Sequence, residues 1–243
     1  MNDRNKEFWE DGIDYNSYVC QELGDERKLL WRKQLLKNIG SKDIVKILDI
    51  GCGPGFFSCL LSECGYDVTG IDRSEDMLKF AEMNAEKLNV SPTFIKMDAL
   101  NLSFNENTFD AIVSRNVTWT FHAPEDIYLE LYKKLKTGGQ LIIYDANWHL
   151  PFYDSVMMGK VKENEQWYFA HYKKPFKIYD DDESIFENLP LSNTRRPQWD
   201  LKVLKDIGFS SVEFCEDIGQ SVYSDWEKKL YSATPMFEII AIK

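Results

Sequence analysis

The feature that most constrains this chain is the rhythm of residues 45–147, where short apolar runs alternate with stretches of helical character. VKILDI (45–50) is apolar and of strand length, the pattern of a buried strand. FFSCLLSEC reads as a helix closed by Gly65, and YDVTGID (66–72) as a second strand. Ser74 is placed to cap the next helix, which runs to about Leu88; Glu75 and Asp76 sit in its first turn, where carboxylates suit the positive helix end. PTFIKMD and then FDAIVSR, from Phe109, give two more strands. Pro124 opens a further helix with Glu125 and Asp126 at its start and Lys133, Lys134 and Lys136 at its end; Gly138 and Gly139 are expected to stop it. GQLIIYDAN is a fifth strand. Strand–helix alternation at these lengths gives right-handed crossovers and a mostly parallel sheet covered on both faces, an α/β doubly wound architecture.

The flanks are less regular. DERKLLWRKQLLKN (25–38) predicts an amphipathic helix with Leu29, Leu30, Leu35 and Leu36 near one face, ended by Gly40. After Trp148 the rhythm breaks, and 149–199 is polar and aromatic-rich without a strand period. Asp200 is placed to cap a helix, LKVLKDIGF, that Gly208 ends; SSVEFCED and MFEIIAIK are two further strands. A chain of 243 residues suits one sizeable domain. The expected organisation is a single domain over 1–243: a helical cap (1–40), a core (41–148 and 200–243) and an inserted lid (149–199).

The segment Asp49-Ile50-Gly51-Cys52-Gly53-Pro54-Gly55 follows a strand and precedes a helix. Gly51 and Gly53 let the backbone turn tightly and approach a ligand, and the helix after Gly55 turns its free N–H groups toward it. A dinucleotide fingerprint wants glycine at position 56, where this chain has Phe56. Asp72 ends the second strand about 20 residues past the first glycines, where a carboxylate can grip ribose hydroxyls. The plainer role for Asp72 is a turn former at a strand end.

With ILDIGCGPGFFS, GIDRSEDML, KMDALNLSF, FDAIVSRNV and LKTGGQLIIYD in hand, residues 25–146 resemble the class I S-adenosylmethionine-dependent methyltransferases of small-molecule type; the resemblance resumes at LKVLKDIGFSSVEF. It implies S-adenosyl-L-methionine as cofactor and a Rossmann-like sheet of seven strands, the last antiparallel and paired with the strand before it. It implies that Asp49, Gly51, Cys52, Gly53 and Gly55 wrap the methionine part, and that Asp72, with Arg73 beside it, holds the ribose. Met77 would lie near adenine or simply in helix core. Asp98 and Ala99 would read the adenine edge, unless Asp98 is only a turn residue. Arg115 and Asn116 would meet the methionine amino and carboxylate groups. The resemblance also makes the N-terminal segment with Phe8, Trp9, Tyr15 and Tyr18 a cap over the cofactor. The segment 217–235, too long for a tight hairpin, would reach toward the site.

Methyl transfer from a sulfonium is an in-line displacement, so the protein mainly aligns donor and acceptor and excludes water. His122 is the candidate base, since it follows a strand end in the ligand crevice; its other reading is a surface or capping histidine before Pro124. Trp119, Asp145, Trp148, Tyr168, His171 and Arg195, with Tyr18, are candidate substrate contacts. Arg195 and Arg196 can bind an acidic group bidentately, or form a solvated turn. Asp145 with Asn147 suggests a metal pair, but no acid follows the fourth strand to complete it, so no metal is expected.

Composition narrows the partners. A net charge of −11 repels phosphate backbones, so a small-molecule acceptor is expected and nucleic acid is not. No run reaches membrane-span length, and MNDRNKEFWEDG is polar, unlike a signal peptide. Five cysteines without a CxxC pair suit a reducing, cytoplasmic setting. Two rivals stand: a non-catalytic S-adenosylmethionine-binding regulator and an NAD(P)-dependent oxidoreductase. The second lacks both the third glycine and a Tyr-x-x-x-Lys pair.

Overall fold

A computed structural model describes residues 13–39, 46–176 and 189–243. Gly40, Phe8 and Trp9 lie outside the described residues, as does 177–188 of the expected lid.

Seven strands form one sheet in the order β3-β2-β1-β4-β5-β7-β6. They are β1 (Lys46–Ile50), β2 (Asp67–Asp72), β3 (Thr93–Lys96), β4 (Phe109–Arg115), β5 (Leu135–Asp145), β6 (Ser211–Cys215) and β7 (Phe237–Ile242). β1 to β5 pair in parallel, while β7 runs antiparallel to both β5 and β6. This is the doubly wound sheet expected from the alternation, and the seven-stranded Rossmann-like order with an antiparallel last strand that the resemblance implies. The strand order reverses between β1 and β4, and in such sheets the crevice past the carboxyl ends at that point takes the ligand.

Nine helices of α type are described: α1 (Ile13–Gly24), α2 (Glu26–Ile39), α3 (Phe56–Glu63), α4 (Glu75–Leu88), α5 (Pro124–Lys134), α6 (Ser155–Tyr172), α7 (Gln198–Ile207), α8 (Gly219–Val222) and α9 (Asp225–Leu230). One face of the sheet packs Trp31, Leu35 and Ile39 of α2 with Phe56, Phe57 and Leu60 of α3. The other packs Ile127, Tyr128 and Leu131 of α5 with Val203 and Leu204 of α7. Ser74 caps α4 by accepting from the Met77 amide at 3.2 Å, and Asn89 closes it in a left-handed conformation. No helix among the described residues is long and apolar enough to cross a membrane.

Three expectations change. The inward face of α2 is Arg27, Trp31, Gln34, Leu35 and Ile39, and Leu29 is 65% exposed. Arg27 and Gln34 can be buried because they bond Glu227 and Glu238, partners from the far end of the chain. Gly138 and Gly139 do not stop α5; that helix ends at Lys134, and both glycines lie within β5. Asp200 does not cap α7: Pro197 takes that position, and Asp200 is wholly buried in the first turn. The 149–199 region, read only as lacking a strand period, contains the 18-residue α6.

Candidate active site

β1 delivers the glycine loop to the crevice. Gly51, Gly53 and Gly55 all take positive φ (63°, 51° and 83°), conformations that cost other residues strain. A Cβ on Gly51 would stand 2.5 Å from Val117 Cγ1, so the loop can lie against the strand-four segment only as glycine. Across the loop, the Asp72 carboxylate is clasped: the Gly53 amide donates to Oδ2 at 2.9 Å and the Ser74 amide to Oδ1 at 2.9 Å. Burial raises the Asp72 pKa, opposed by those amides, which favour the carboxylate.

The loop roofs one end of a cleft of about 870 Å³. Gly51, Gly53, Asp72, Arg73, Met77, Asp98, Ala99, Arg115 and Asn116 all line it. Asp98 is both a turn residue and a cleft residue: one oxygen accepts from the Leu100 amide at 3.0 Å, and the other lies 3.5 Å from Arg73 Nε. Met77, 3% exposed, serves as helix core and cleft floor together.

Three loop residues stand behind the wall instead. Asp49 and Cys52 line a separate void of about 20 Å³ between the loop and α1, room for about one water. Asp49 accepts from Ser58 Oγ at 2.7 Å, and burial pushes its pKa up to about 7. Gly55 faces Ala81 and Phe94, so packing and turn geometry explain it.

At the end of β4, Arg115 is sunk among the rings of Phe56, Trp31 and Phe57, its guanidinium carbon 4.3, 5.1 and 5.5 Å from their centroids. Both terminal nitrogens bond Glu22 of α1, at 2.7 and 3.1 Å. Burial opposes its charge, yet Glu22 together with Tyr15 and Tyr18 outweighs it and holds the pKa above the usual value. Asn116 follows in a left-handed conformation, and its Oδ1 is buried without a hydrogen-bond partner among the described residues.

The other end of the cleft is aromatic. Trp119 and Trp148 line it, and Leu189 packs with them. Trp119 Nε1 donates to the Asn116 carbonyl at 3.0 Å, and its ring stacks on His149 at 4.8 Å. Burial lowers the His149 pKa to about 4, so that ring is neutral at pH 7. His122 also lines the cleft and is exposed, with Arg73 and Asp98 as its charged neighbours. It therefore stands at the Asp72–Asp98 end, and burial with the Arg73 charge lowers its pKa.

The remaining candidates face elsewhere. Asp145 is fully buried: Thr118 Oγ1 (2.6 Å), Arg196 Nη1 (2.9 Å) and the Trp119 amide (3.0 Å) donate to Oδ2, and the Ala146 amide (2.8 Å) to Oδ1. It orders the wall and does not face the cleft. Asn147 is bonded both ways to the Arg196 backbone, and no metal-binding group of three or more such side chains occurs among the described residues. Tyr18 donates to Glu227 at 2.7 Å beneath Arg27, off the cleft lining. Tyr168 packs on Tyr172, Phe176 and Trp226, and exposed His171 turns back to the Trp167 carbonyl. Arg195 is solvated and pairs with Asp154; its neighbour Arg196 is the buried member, joining Asp145, Thr118, Tyr128 and Asp200. Tyr15 also lines the cleft, bonded to Arg115. Its signal was a helical face, Tyr15, Val19, Glu22 and Leu23, that carries a buried glutamate.

Comparison with known proteins bears on the family and the fold. Residues 48–143 match a family model described as a methyltransferase domain. Sterol 24-C-methyltransferase of Pneumocystis carinii (strain B80) is 31% identical over 168 residues, 65% of this chain and 42% of that protein. The chain spans about half or less of the curated relatives it matches. Among solved structures, Haemonchus contortus phosphoethanolamine N-methyltransferase 2 in complex with S-adenosyl-L-methionine aligns with a TM-score of 0.63 at 19% identity, covering 97% of this chain and 60% of that one. A SAM-dependent methyltransferase from Aquifex aeolicus aligns with 0.58 at 20% identity, covering 93% and 97%. At these identities the two structures share the fold.

Proposed function

We propose that this chain, whose residues 48–143 match a methyltransferase domain, is a class I enzyme that binds S-adenosyl-L-methionine in the cleft and methylates a small molecule. The observation that carries the reading is the Asp72 clasp: a carboxylate fixed by the Gly53 and Ser74 amides beside a glycine that only hydrogen fits.

The residues present suit the cofactor. Asp72 offers acceptors for ribose hydroxyls, Asp98 an acceptor for the adenine amine, and Met77 an apolar surface for the ring. Asn116 Oδ1, buried and without a donor among the described residues, suits the methionine ammonium. Arg115 offers the carboxylate a charge already answered by Glu22, so its contribution is a fixed wall more than a free hook. When bound, the cofactor supplies a methyl group on a sulfonium that departs as a neutral thioether.

What the chain adds is alignment and dryness. Trp119 and Trp148 wall the acceptor end, and Tyr15 lies over Gly53, its Cε1 3.4 Å from where a Cβ would be. Burial raises the Tyr15 pKa, so its hydroxyl is protonated at pH 7 and orients an acceptor as a hydrogen-bond donor or acceptor. His122 belongs to the nucleoside end in this reading and takes no proton from the acceptor. An acceptor attacking through a lone pair gains the methyl group and passes any displaced proton to solvent.

Relatives named for sterol and for phosphoethanolamine both act on small molecules, which supports the same breadth here. Five free cysteines suit a reducing cytoplasm. The lid role of 149–199 rests on Leu189, which backs both tryptophans.

The test is calorimetric titration with S-adenosylhomocysteine and with NADH, using the wild type and Asp72→Ala. Micromolar binding of the thioether, at least tenfold weaker in the variant, with none for NADH, is expected. NADH binding, or no thioether binding, returns the chain to the oxidoreductase reading. Binding without turnover on any acceptor favours the regulator.

A further inference from the structure

Resting on the methyl-transfer reading, we propose that the acceptor is an uncharged, largely apolar molecule seated between Trp119 and Trp148, and not a phosphorylated or carboxylated one. Charge supplies the first argument. Among the described residues, every lysine and arginine on the cleft wall already faces a carboxylate: Arg73 with Asp98 (3.5 Å), Lys79 with Asp76 (2.7 Å), Lys96 with Glu75 (3.0 Å) and Arg115 with Glu22 (2.7 Å). The first three stand with Asp72 toward the nucleoside end. Just behind the acceptor end, Arg196 is enclosed by Asp145 and Asp200, with its side chain 1% exposed. An anionic acceptor would therefore lose its hydration without gaining an uncommitted cation from the described wall, a cost that a buried anion cannot bear unpaired.

The apolar wall supplies the second argument. Trp119 and Leu189 form a cluster apart from the two cores that flank the sheet, and Trp148 packs both on that cluster and on the core beside α2 and α3. Three different connections build it: the loop after β4, the loop after β5 and the segment before α7. The rings continue outward, Trp119 on His149 at 4.8 Å and His149 on Phe152 at 5.5 Å, both stacked. His149 is buried and responds only to desolvation, so it adds no charge at pH 7. Behind the cleft lining the row ends in an exposed apolar patch, with Phe152 46%, Tyr153 45% and Val156 82% exposed. Flat aromatic walls with few polar groups fit ring systems and hydrocarbon frames, whose burial supplies affinity without directional bonds. Between the two chemistries named by the relatives, this wall fits the sterol-like one.

The experiment uses the full chain saturated with S-adenosylhomocysteine and titrates three probes by calorimetry: 1-naphthol, a sterol delivered from cyclodextrin, and phosphoethanolamine. At least one uncharged probe should bind at least tenfold more tightly than phosphoethanolamine. Trp119→Ser, or Trp148→Ser if the first variant folds poorly, should weaken that probe at least tenfold. Tighter binding of phosphoethanolamine, or binding of neither uncharged probe, overturns the proposal; the wild-type ranking needs no variant. Failure of S-adenosylhomocysteine itself to bind overturns the methyl-transfer reading instead, and is seen before any probe is added.

Discussion

At the nucleoside end of the cleft, decisive contacts run between near neighbours in the chain: Gly53 to Asp72 across 19 positions, Ser74 to Asp72 across two. At the acceptor end they run from Arg196 to Asp145, Tyr128 and Thr118, across 51, 68 and 78 positions. The first end is built largely from backbone amides and glycine conformation, which one short motif can encode. The second is built from buried charges that each need a distant partner. A nucleoside end of this kind tolerates changes in the insert, whereas the acceptor wall depends on the insert being seated.

Arg196→Met should break that contrast most forcefully if it is wrong. It strips the partner from buried Asp145 and Asp200, a loss of about 3–5 kcal/mol. Urea unfolding reads the stability, and S-adenosylhomocysteine titration under native conditions reads the cofactor end. A fall in stability with affinity held within threefold keeps the two ends separate. A parallel collapse of affinity merges them.

Gly51→Ala probes the other end. The left-handed conformation costs roughly 1–2 kcal/mol in a residue with a Cβ, and that Cβ meets Val117. Affinity for S-adenosylhomocysteine should fall at least tenfold. Adding Val117→Ala should restore part of it by removing the clash while the backbone strain remains. No recovery would mean that strain alone governs the loop.

Asp49→Asn gives the smallest and most specific effect. In the fold this carboxyl holds its proton up to about pH 7, against an unfolded value of 3.8. Below that value both states are protonated and no penalty exists. As pH rises toward 7 the unfolded chain ionises first, so the wild type loses stability through that window. The Asn variant keeps the Ser58 contact and carries no such loss. Its stability relative to wild type should climb between pH 4 and 7 by at least about 1 kcal/mol, read from urea midpoints. A flat difference would mean that Asp49 ionises freely in the fold.

This contrast also explains what was legible in the sequence. The seven strands, the glycine loop, Asp72 and the Ser74 cap follow from local period and local chemistry. Arg196 did not: beside Arg195 it has the same chemistry, and only the fold decides which of the pair is sunk at 2% exposure. Asp145 looked like a ligand because a carboxylate at a strand end usually faces the crevice; four donors turn it into a brace instead. α6 was hidden for another reason. It buries Val161 and Asn164 while Val156 and Phe169 stay exposed, so its apolar residues trace no single stripe. Tyr18 and Glu227 are 209 positions apart, and nothing local to either announces the other.

The placement of β7 between β5 and β6 has a consequence for how the chain is made. A ribosome delivers β1 to β5, with the glycine loop and its helix, well before β7 emerges. β6 emerges earlier than the strand it pairs with, and the outer edge of β5 stays open in the meantime. The nascent protein thus carries two unsatisfied strand edges, a state open to mispairing with other chains. Synthesis that stalls before Phe237 would leave a chain able to form its nucleoside end yet prone to aggregate.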